Sequence, residues 1–348
     1  MPLTSVLVFL AAFGLAAGGT FLAGRLGRRW GLVDIPGGRR THTGAVPRIG
    51  GLGLLAGFLL TALALYLSHT FQPEHQLPLA GVLAGTAFVA VLGLADDRFE
   101  FKAWPQFATQ IGAGVIAIIT TVYIRQVTLP LIPKTPEFPL WITYPLTILW
   151  VVGMMNTVNF LDGLDGLAAG VGAIAAALFA YHSHRLFQDE LALYSLALAG
   201  ACLGFLLFNF HPARVFLGSA GAMTLGYALA TLSILAPARV ATALLVMAIP
   251  IADTGFQMFD RWRRGQSPTH GDRGHLHYRL FDLGLSQRQI VISYWVFCGV
   301  FGALALLIPS PLYKLIAIGV LVLIVVGLLA LLTRRQKRLA AEHTTQAK

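Results

Sequence analysis

Residues 156–170 read Asn156-Thr-Val-Asn159-Phe-Leu-Asp162-Gly-Leu-Asp165-Gly-Leu-Ala-Ala-Gly170 and lie between two apolar runs. Asp162 and Asp165 are costly there, because an ionisable group at the end of a membrane helix needs a partner or an ion to offset its desolvation. Asp96 and Asp97 close another apolar run. Two adjacent carboxylates cannot both stay unpaired at a dielectric boundary, and a hard dication with oxygen ligands stabilises both. Magnesium suits such a set better than zinc, with manganese as the alternative. Asn156 and Asn159 add neutral oxygens or donors for a pyrophosphate, and Gly163, Gly166 and Gly170 let backbone amides at a helix start approach phosphate oxygens. The chemistry that fits is phosphoryl transfer at a membrane surface, which is mainly positioning and charge neutralisation.

Three further stretches carry polar groups of the same kind. Asp34-Ile-Pro36 begins a segment that passes through Arg39-Arg40 and ends at Pro47-Arg48-Ile-Gly-Gly. Phe216-Leu-Gly-Ser219-Ala-Gly opens a later apolar run, and residues 250–280 hold Asp253, Arg261, Arg263, Arg264, Ser267-Pro268, Asp272, His275, His277 and Arg279. Histidines flanked by arginines donate to a diphosphate or to sugar hydroxyls, and arginine offers a two-pronged fork to phosphate. A His-x-His pair also suits zinc, but no third soft ligand accompanies it. Taken singly, Asp34 and Pro36 would cap a turn and the arginines would anchor to headgroups. Five such segments on one side of the chain point to one shared site.

The elements that must position them are membrane helices. Of 348 residues 56% are hydrophobic and 11% charged, a balance that excludes a water-soluble globule. Apolar runs fall near 3–24, 50–69, 79–95, 107–124, 142–160, 166–182, 190–209, 219–236, 238–259, 288–308 and 314–333. At roughly 20 residues per crossing these predict an all-α polytopic membrane protein of about eleven transmembrane helices. The first run lacks a positive leader and is followed by Arg25, which argues against a cleaved signal peptide and places the N-terminus outside. With that orientation twenty Lys and Arg fall on inner segments and five on outer ones, and the C-terminus and the polar loops are cytoplasmic. Residues 1–333 read as one integral membrane unit, followed by a basic cytoplasmic tail, 334–348, that attracts anionic headgroups. The net charge of +10 therefore marks a basic cytoplasmic face and implies no nucleic acid. Cys202 and Cys298 lie inside apolar runs and read as packing residues.

Together, Asp34-x-Pro…Pro47-Arg-x-Gly-Gly, Asp96-Asp97, Asn156-x-x-Asn-Phe-x-Asp-Gly-x-Asp-Gly, Phe216-Leu-Gly-x-x-Gly and His275-x-His-x-Arg-Leu resemble the polyprenyl-phosphate N-acetylhexosamine-1-phosphate transferase superfamily. The likeness spans nearly the whole chain in order. It is closer to the bacterial branch that starts O-antigen, common-antigen, teichoic acid or arabinogalactan synthesis than to the muramoyl-pentapeptide branch. The resemblance implies that undecaprenyl phosphate and a UDP-N-acetylhexosamine, with magnesium, give an undecaprenyl diphosphate sugar and UMP at a bacterial cytoplasmic membrane. It implies Asp96 or Asp97 as base or orienter for the lipid phosphate, Asn159 as a metal or phosphate contact, Asp162 and Asp165 by the nucleotide, and His275, His277 and Arg279 by the diphosphate and sugar. A homodimer through outer helices is implied by the resemblance alone.

Three positions depart from the family pattern. Ser219 stands where the family usually has an aspartate that binds magnesium, Tyr278 where a third histidine is frequent, and Gln106 where a lysine is common. Ser219 opens the alternative of a non-catalytic or disabled homologue that binds nucleotide sugar or lipid phosphate. An ion-coupled transporter would place its acids near the bilayer midplane and show internal repeats; here the acids cluster at helix ends and no repeat is visible.

Overall fold

A computed structural model describes residues 2–35, 44–68, 73–126, 136–235, 237–266, 274–308 and 310–346. Pro36, Arg39, Arg40, Ser267, Pro268 and Asp272 lie outside the described residues, as do the side chains of the 334–348 tail. The chain is a helical multi-pass membrane protein. In order it forms α1 (Pro2–Arg29), β1 (Val33–Asp34), β2 (Val46–Pro47), α2 (Gly51–Leu67), α3 (Pro73–Phe99), α4 (Ala103–Ile119), α5 (Leu140–Leu161), α6 (Leu167–Arg185), α7 (Asp189–Asn209), α8 (Gly218–Ile234), α9 (Pro237–Val246), α10 (Ala248–Arg263), α11 (Leu276–Asp282), α12 (Gln287–Leu307) and α13 (Pro311–Gln346). Seven of the helices, α1, α3, α5, α6, α7, α12 and α13, are long and apolar enough to cross a bilayer, and α2 and α4 are shorter apolar helices.

The apolar run expected as one span over 238–259 is broken. α9 stops at Val246, α10 starts at Ala248, and the two meet at 76°; counted as one bent span they bring the number of candidate crossings to eight. Pro250 supplies the physical reason. It has no N–H to give the carbonyl four residues back, at Val246, and its ring would strike that carbonyl in a continuous helix. In the first turn of a new helix neither defect matters. α11 and the pairing of Val33 with Pro47 and Asp34 with Val46 lie in stretches expected as loops.

α8 is the axis of the bundle. Every residue from Ala220 to Ile234 is buried, and α3 and α5 pack along it while α1, α2 and α7 form an adjoining layer with α6. Without a hydrophobic drive between helices in lipid, close approach depends on small side chains. Gly204 of α7 shows this: a Cβ there would stand 2.3 Å from the Phe13 carbonyl oxygen of α1. Large apolar side chains such as Leu7 and Leu323 point outward, as a lipid-facing surface requires.

Candidate active site

The ends of several helices are tied together by backbone hydrogen bonds that no local pattern announces. The Phe216 N–H donates to the Pro47 carbonyl (2.8 Å), and the Gly50 and Gly51 N–H groups donate to the carbonyls of Phe216 (2.9 Å) and Leu217 (3.0 Å). The Pro47-Arg48-Ile-Gly-Gly segment is thus zipped to the segment that opens α8, and β1 fixes Asp34 beside it. At Gly218 the backbone has φ +71°, and a Cβ would lie 2.2 Å from the Arg48 carbonyl oxygen, so only glycine fits.

The adjacent carboxylates at the end of α3 face different partners. Asp97 reaches across to α8, where its Oδ1 accepts the Ser219 N–H at 2.7 Å and its Oδ2 the Ala220 N–H at 3.0 Å. An acid at the unfavourable C-terminal end of α3 is thereby stabilised by the positive N-terminal end of α8. Asp96 turns to α4 and accepts from Gln106 Nε2 at 2.9 and 3.1 Å and from the Phe101 N–H at 2.9 Å. The pair therefore finds partners within the protein, and neither residue lines the cavity described next.

That cavity, about 320 Å³, is lined by Asp34, Arg48, Asn159, Asp162, Asp165 and Ser219 among the expected site residues, together with Asn209, Phe216, Tyr278 and Gln287. Arg48 donates from Nη1 to Glu100 (3.1 Å) and stands 4.0 Å from Asp34. Asp162, half-buried, accepts no hydrogen bond from any described residue. Burial, then the negative charges of Asp165 and Asp97, push its carboxyl well above the usual carboxylate range. Asp165 Oδ2 is held by His211 Nδ1 (2.7 Å) and by the Ala213 N–H (3.0 Å). Asn209 clamps the turn that carries both acids: its Oδ1 accepts the Gly166 N–H and its Nδ2 donates to the Val215 carbonyl, each at 3.0 Å. Asn156 is turned away, in a reciprocal pair with Gln110 of α4.

The second expected cluster forms behind this cavity and does not line it. Asp253 accepts from the Leu276 N–H (3.1 Å) and pairs through Oδ2 with His275 Nδ1 (3.0 Å), while Arg261 Nη2 lies 3.3 Å from His275 Nε2. Arginine only donates, so Nε2 is the acceptor and Nδ1 carries the proton toward Asp253. His275 is thereby committed inside the protein. Arg264 pairs with Asp260, and Arg279 donates to the Leu329 carbonyl and the Thr333 hydroxyl of α13. Neither is directed at the cavity.

His277 is buried and sits directly behind Gly163, where a Cβ would come 2.3 Å from its Nε2. Neither ring nitrogen has a hydrogen-bond partner among the described residues. Burial, against the attraction of Asp253, lowers its pKa to about 3, so the ring is neutral at physiological pH. Phe160 stacks on His275 with ring centres 5.2 Å apart, and Tyr278 lies tilted against His277 at 4.3 Å.

Sequence reasoning passed over Asn209, His211 and Gln287. Asn209 and His211 follow an apolar run as abruptly as Asp96 and Asp97 do, and that signal was available; Gln287, at a helix start after Ser286, gave none. Among the described residues no group of three or more His, Cys, Asp or Glu side chains is gathered as for a metal ion. The cavity instead offers one unpaired carboxylate, Asp162, with the neutral oxygens of Asn159 and Ser219.

A family model described as Glycosyl transferase family 4 matches residues 79–237. The chain is 31% identical over 307 residues to a "Probable undecaprenyl-phosphate N-acetylglucosaminyl 1-phosphate transferase" of Bacillus subtilis, covering 86% of this chain and 84% of that protein. It is 35% identical over 344 residues to a decaprenyl-phosphate N-acetylglucosaminephosphotransferase of Mycolicibacterium smegmatis, covering 88% and 83%. Against a phospho-N-acetylmuramoyl-pentapeptide-transferase of Halalkalibacterium halodurans the identity is 32% over 273 residues, covering 75% and 82%.

Proposed function

The chain belongs to the polyprenyl-phosphate N-acetylhexosamine-1-phosphate transferase superfamily, Glycosyl transferase family 4, and from that premise we propose that it transfers N-acetylglucosamine-1-phosphate from UDP-N-acetylglucosamine to undecaprenyl phosphate, releasing UMP. A lipid-phosphate oxygen attacks the phosphorus that carries the sugar. The bond from that phosphorus to the bridging oxygen breaks, and UMP leaves with the bridging oxygen. The lipid phosphate is already an anion at neutral pH, which favours direct attack over an aspartyl relay.

The observation that carries this reading is Asp162, a carboxyl that accepts no hydrogen bond from any described residue, in a cavity that also presents Arg48, Asn159 and Ser219. The oxygens of Asp162, Asn159 and Ser219 fit a hard divalent cation. Asp162, Asn159 and Ser219 would hold magnesium, which when bound supplies charge neutralisation at the diphosphate. Arg48 places a cation on the same cavity for the departing phosphate. Asp97 fixes the start of α8, and Asp165 with His211 and Asn209 fixes the turn that carries Asp162. Asp96 and Asn156 tie α3 and α5 to α4, Asp253, His275 and Arg279 hold α11, and His277 backs Gly163, while Arg264 pairs with Asp260 along α10.

The positive-inside balance supports eleven crossings, the bent α9–α10 pair counting as one, with the N-terminus outside and both the C-terminus and the cavity on the cytoplasmic side of a bacterial plasma membrane. That is where a UDP-sugar is available. The product serves as the first membrane step of an envelope polysaccharide, and a homodimer is consistent with the lipid-facing helices.

The test is UMP release by the purified protein given undecaprenyl phosphate and UDP-N-acetylglucosamine, with and without magnesium. Magnesium-dependent release is expected. Silence from this chain and from its Ser219→Asp variant alike would sink the proposed substrates.

A further inference from the structure

We propose that Gln287 is a specificity-determining residue of the cavity, its carboxamide reading a neutral group with adjacent N–H and C=O on the donor substrate. The inference rests on the functional reading above and names a contact that the mechanism does not use. Gln287 is only 7% exposed, lines the cavity, and makes no hydrogen bond to any described residue. Buried polar side chains are almost always paired. An amide left with both its donor and its acceptor capacity free at a cavity wall is therefore a contact awaiting a ligand.

The neighbours decide the ligand's chemistry. Arg288, the next residue, donates from Nε and Nη2 to the His211 carbonyl at 3.3 and 3.2 Å, and His211 Nδ1 holds Asp165 Oδ2 at 2.7 Å. The start of α12 is thereby tethered to the wall that carries Asp165, whose Oδ1 accepts nothing from the described residues. A carboxylate acceptor and an amide lining one cavity suit a group that donates one N–H and accepts at one carbonyl rather than a phosphate. The phosphates belong instead near Arg48, which is held through Asp34 and Glu100. Two parts of a UDP-N-acetylhexosamine have this chemistry: the imide edge of the base and the acetamido group of the sugar.

The experiment is calorimetric titration of the full chain, in nanodiscs with magnesium, by UMP, UDP-glucose and UDP-N-acetylglucosamine, for the wild type, Gln287→Leu and Gln287→Glu. Gln287 is the first residue of α12, where the helix dipole favours an acid, and the Ser286–Gln289 capping box is untouched, so the Glu variant is expected to fold. Gln287→Leu should weaken UDP-N-acetylglucosamine by roughly tenfold, about one hydrogen-bonding contact, and Gln287→Glu by more, since it adds a second carboxylate to the cavity that Asp165 lines. Equal weakening of all three ligands assigns the contact to the base; weakening confined to UDP-N-acetylglucosamine assigns it to the acetamido group. Wild-type affinity for all three ligands in both variants overturns the inference. A wild-type protein that binds none of them overturns the functional reading, and this inference with it.

Discussion

The Asp97 carboxylate of α3 accepts the backbone N–H of Ser219, 122 positions later, at 2.7 Å, while Ser219 itself lines the cavity. Residue 219 thus has two separate jobs, its amide holding the wall and its side chain meeting the contents. Ser219→Asp changes only the second. It adds a carboxylate to the cavity that Asp162 also lines, in the first turn of α8, where the dipole favours an acid. UMP release at sub-saturating magnesium should rise at least about tenfold, about 1.4 kcal/mol of barrier. A magnesium titration of both proteins checks this, and superimposable curves would count against it.

Asp162 should impose opposite pH trends on activity and on metal-free stability. Its ionised form is the one that holds a cation, so activity rises as pH climbs through its raised pKa. Stability from this carboxyl is fully present below the unfolded value of 3.8 and is lost as pH rises through the raised folded value. Asp162→Asn should abolish UMP release and remove that alkaline loss. Magnesium at a hundred times its Kd should restore about 2.7 kcal/mol to the wild type and nothing comparable to the variant. Thermal unfolding between pH 5 and 9, with and without magnesium, reads both effects.

His277 gives the reverse dependence at acid pH. Burial depresses its pKa from 6.5 to about 3. Its contribution is therefore present above 6.5 and lost as pH falls toward 3, at about 1.4 kcal/mol per pH unit. His277→Gln should flatten the acid limb of a melting-temperature profile between pH 7 and 4. An unchanged slope would show that the ring titrates freely.

Gly218→Ala should lose both fold and activity. The left-handed backbone costs a Cβ about 1–2 kcal/mol, and its 2.2 Å approach to the Arg48 carbonyl forces the zipped strand away. A fall in melting temperature and a rise in KM for the sugar nucleotide are expected. Gly255→Ala, in a helix where a Cβ meets nothing within 4 Å, is the matched control and should be neutral.

The helical class and the turn around Asp162 were legible in the sequence because both signals are local: apolar length in one case, acids between apolar runs in the other. Pro250 was equally visible, but the run around it is apolar on average, and that average hid the break. The fates of the paired acids were not legible. That Asp96 meets Gln106 while Asp97 meets α8 depends on which helix ends come together in space, and adjacency in sequence suggested a shared ion instead. His275 looked like a phosphate donor because its partners, Asp253 and Arg261, reach it only through the folding of α10 onto α11.

The zipping of Pro47–Gly51 to Phe216–Leu217 also sets a timetable for biogenesis. The first wall of the cavity leaves the ribosome early, yet its hydrogen-bond partners do not exist until α8 is made. From Asp97 to Ser219 alone the delay is roughly 6–24 s at 5–20 residues per second. Through that interval the end of α3 is an uncapped acid in a half-built bundle, so the early helices wait in the membrane for the later ones before any site exists.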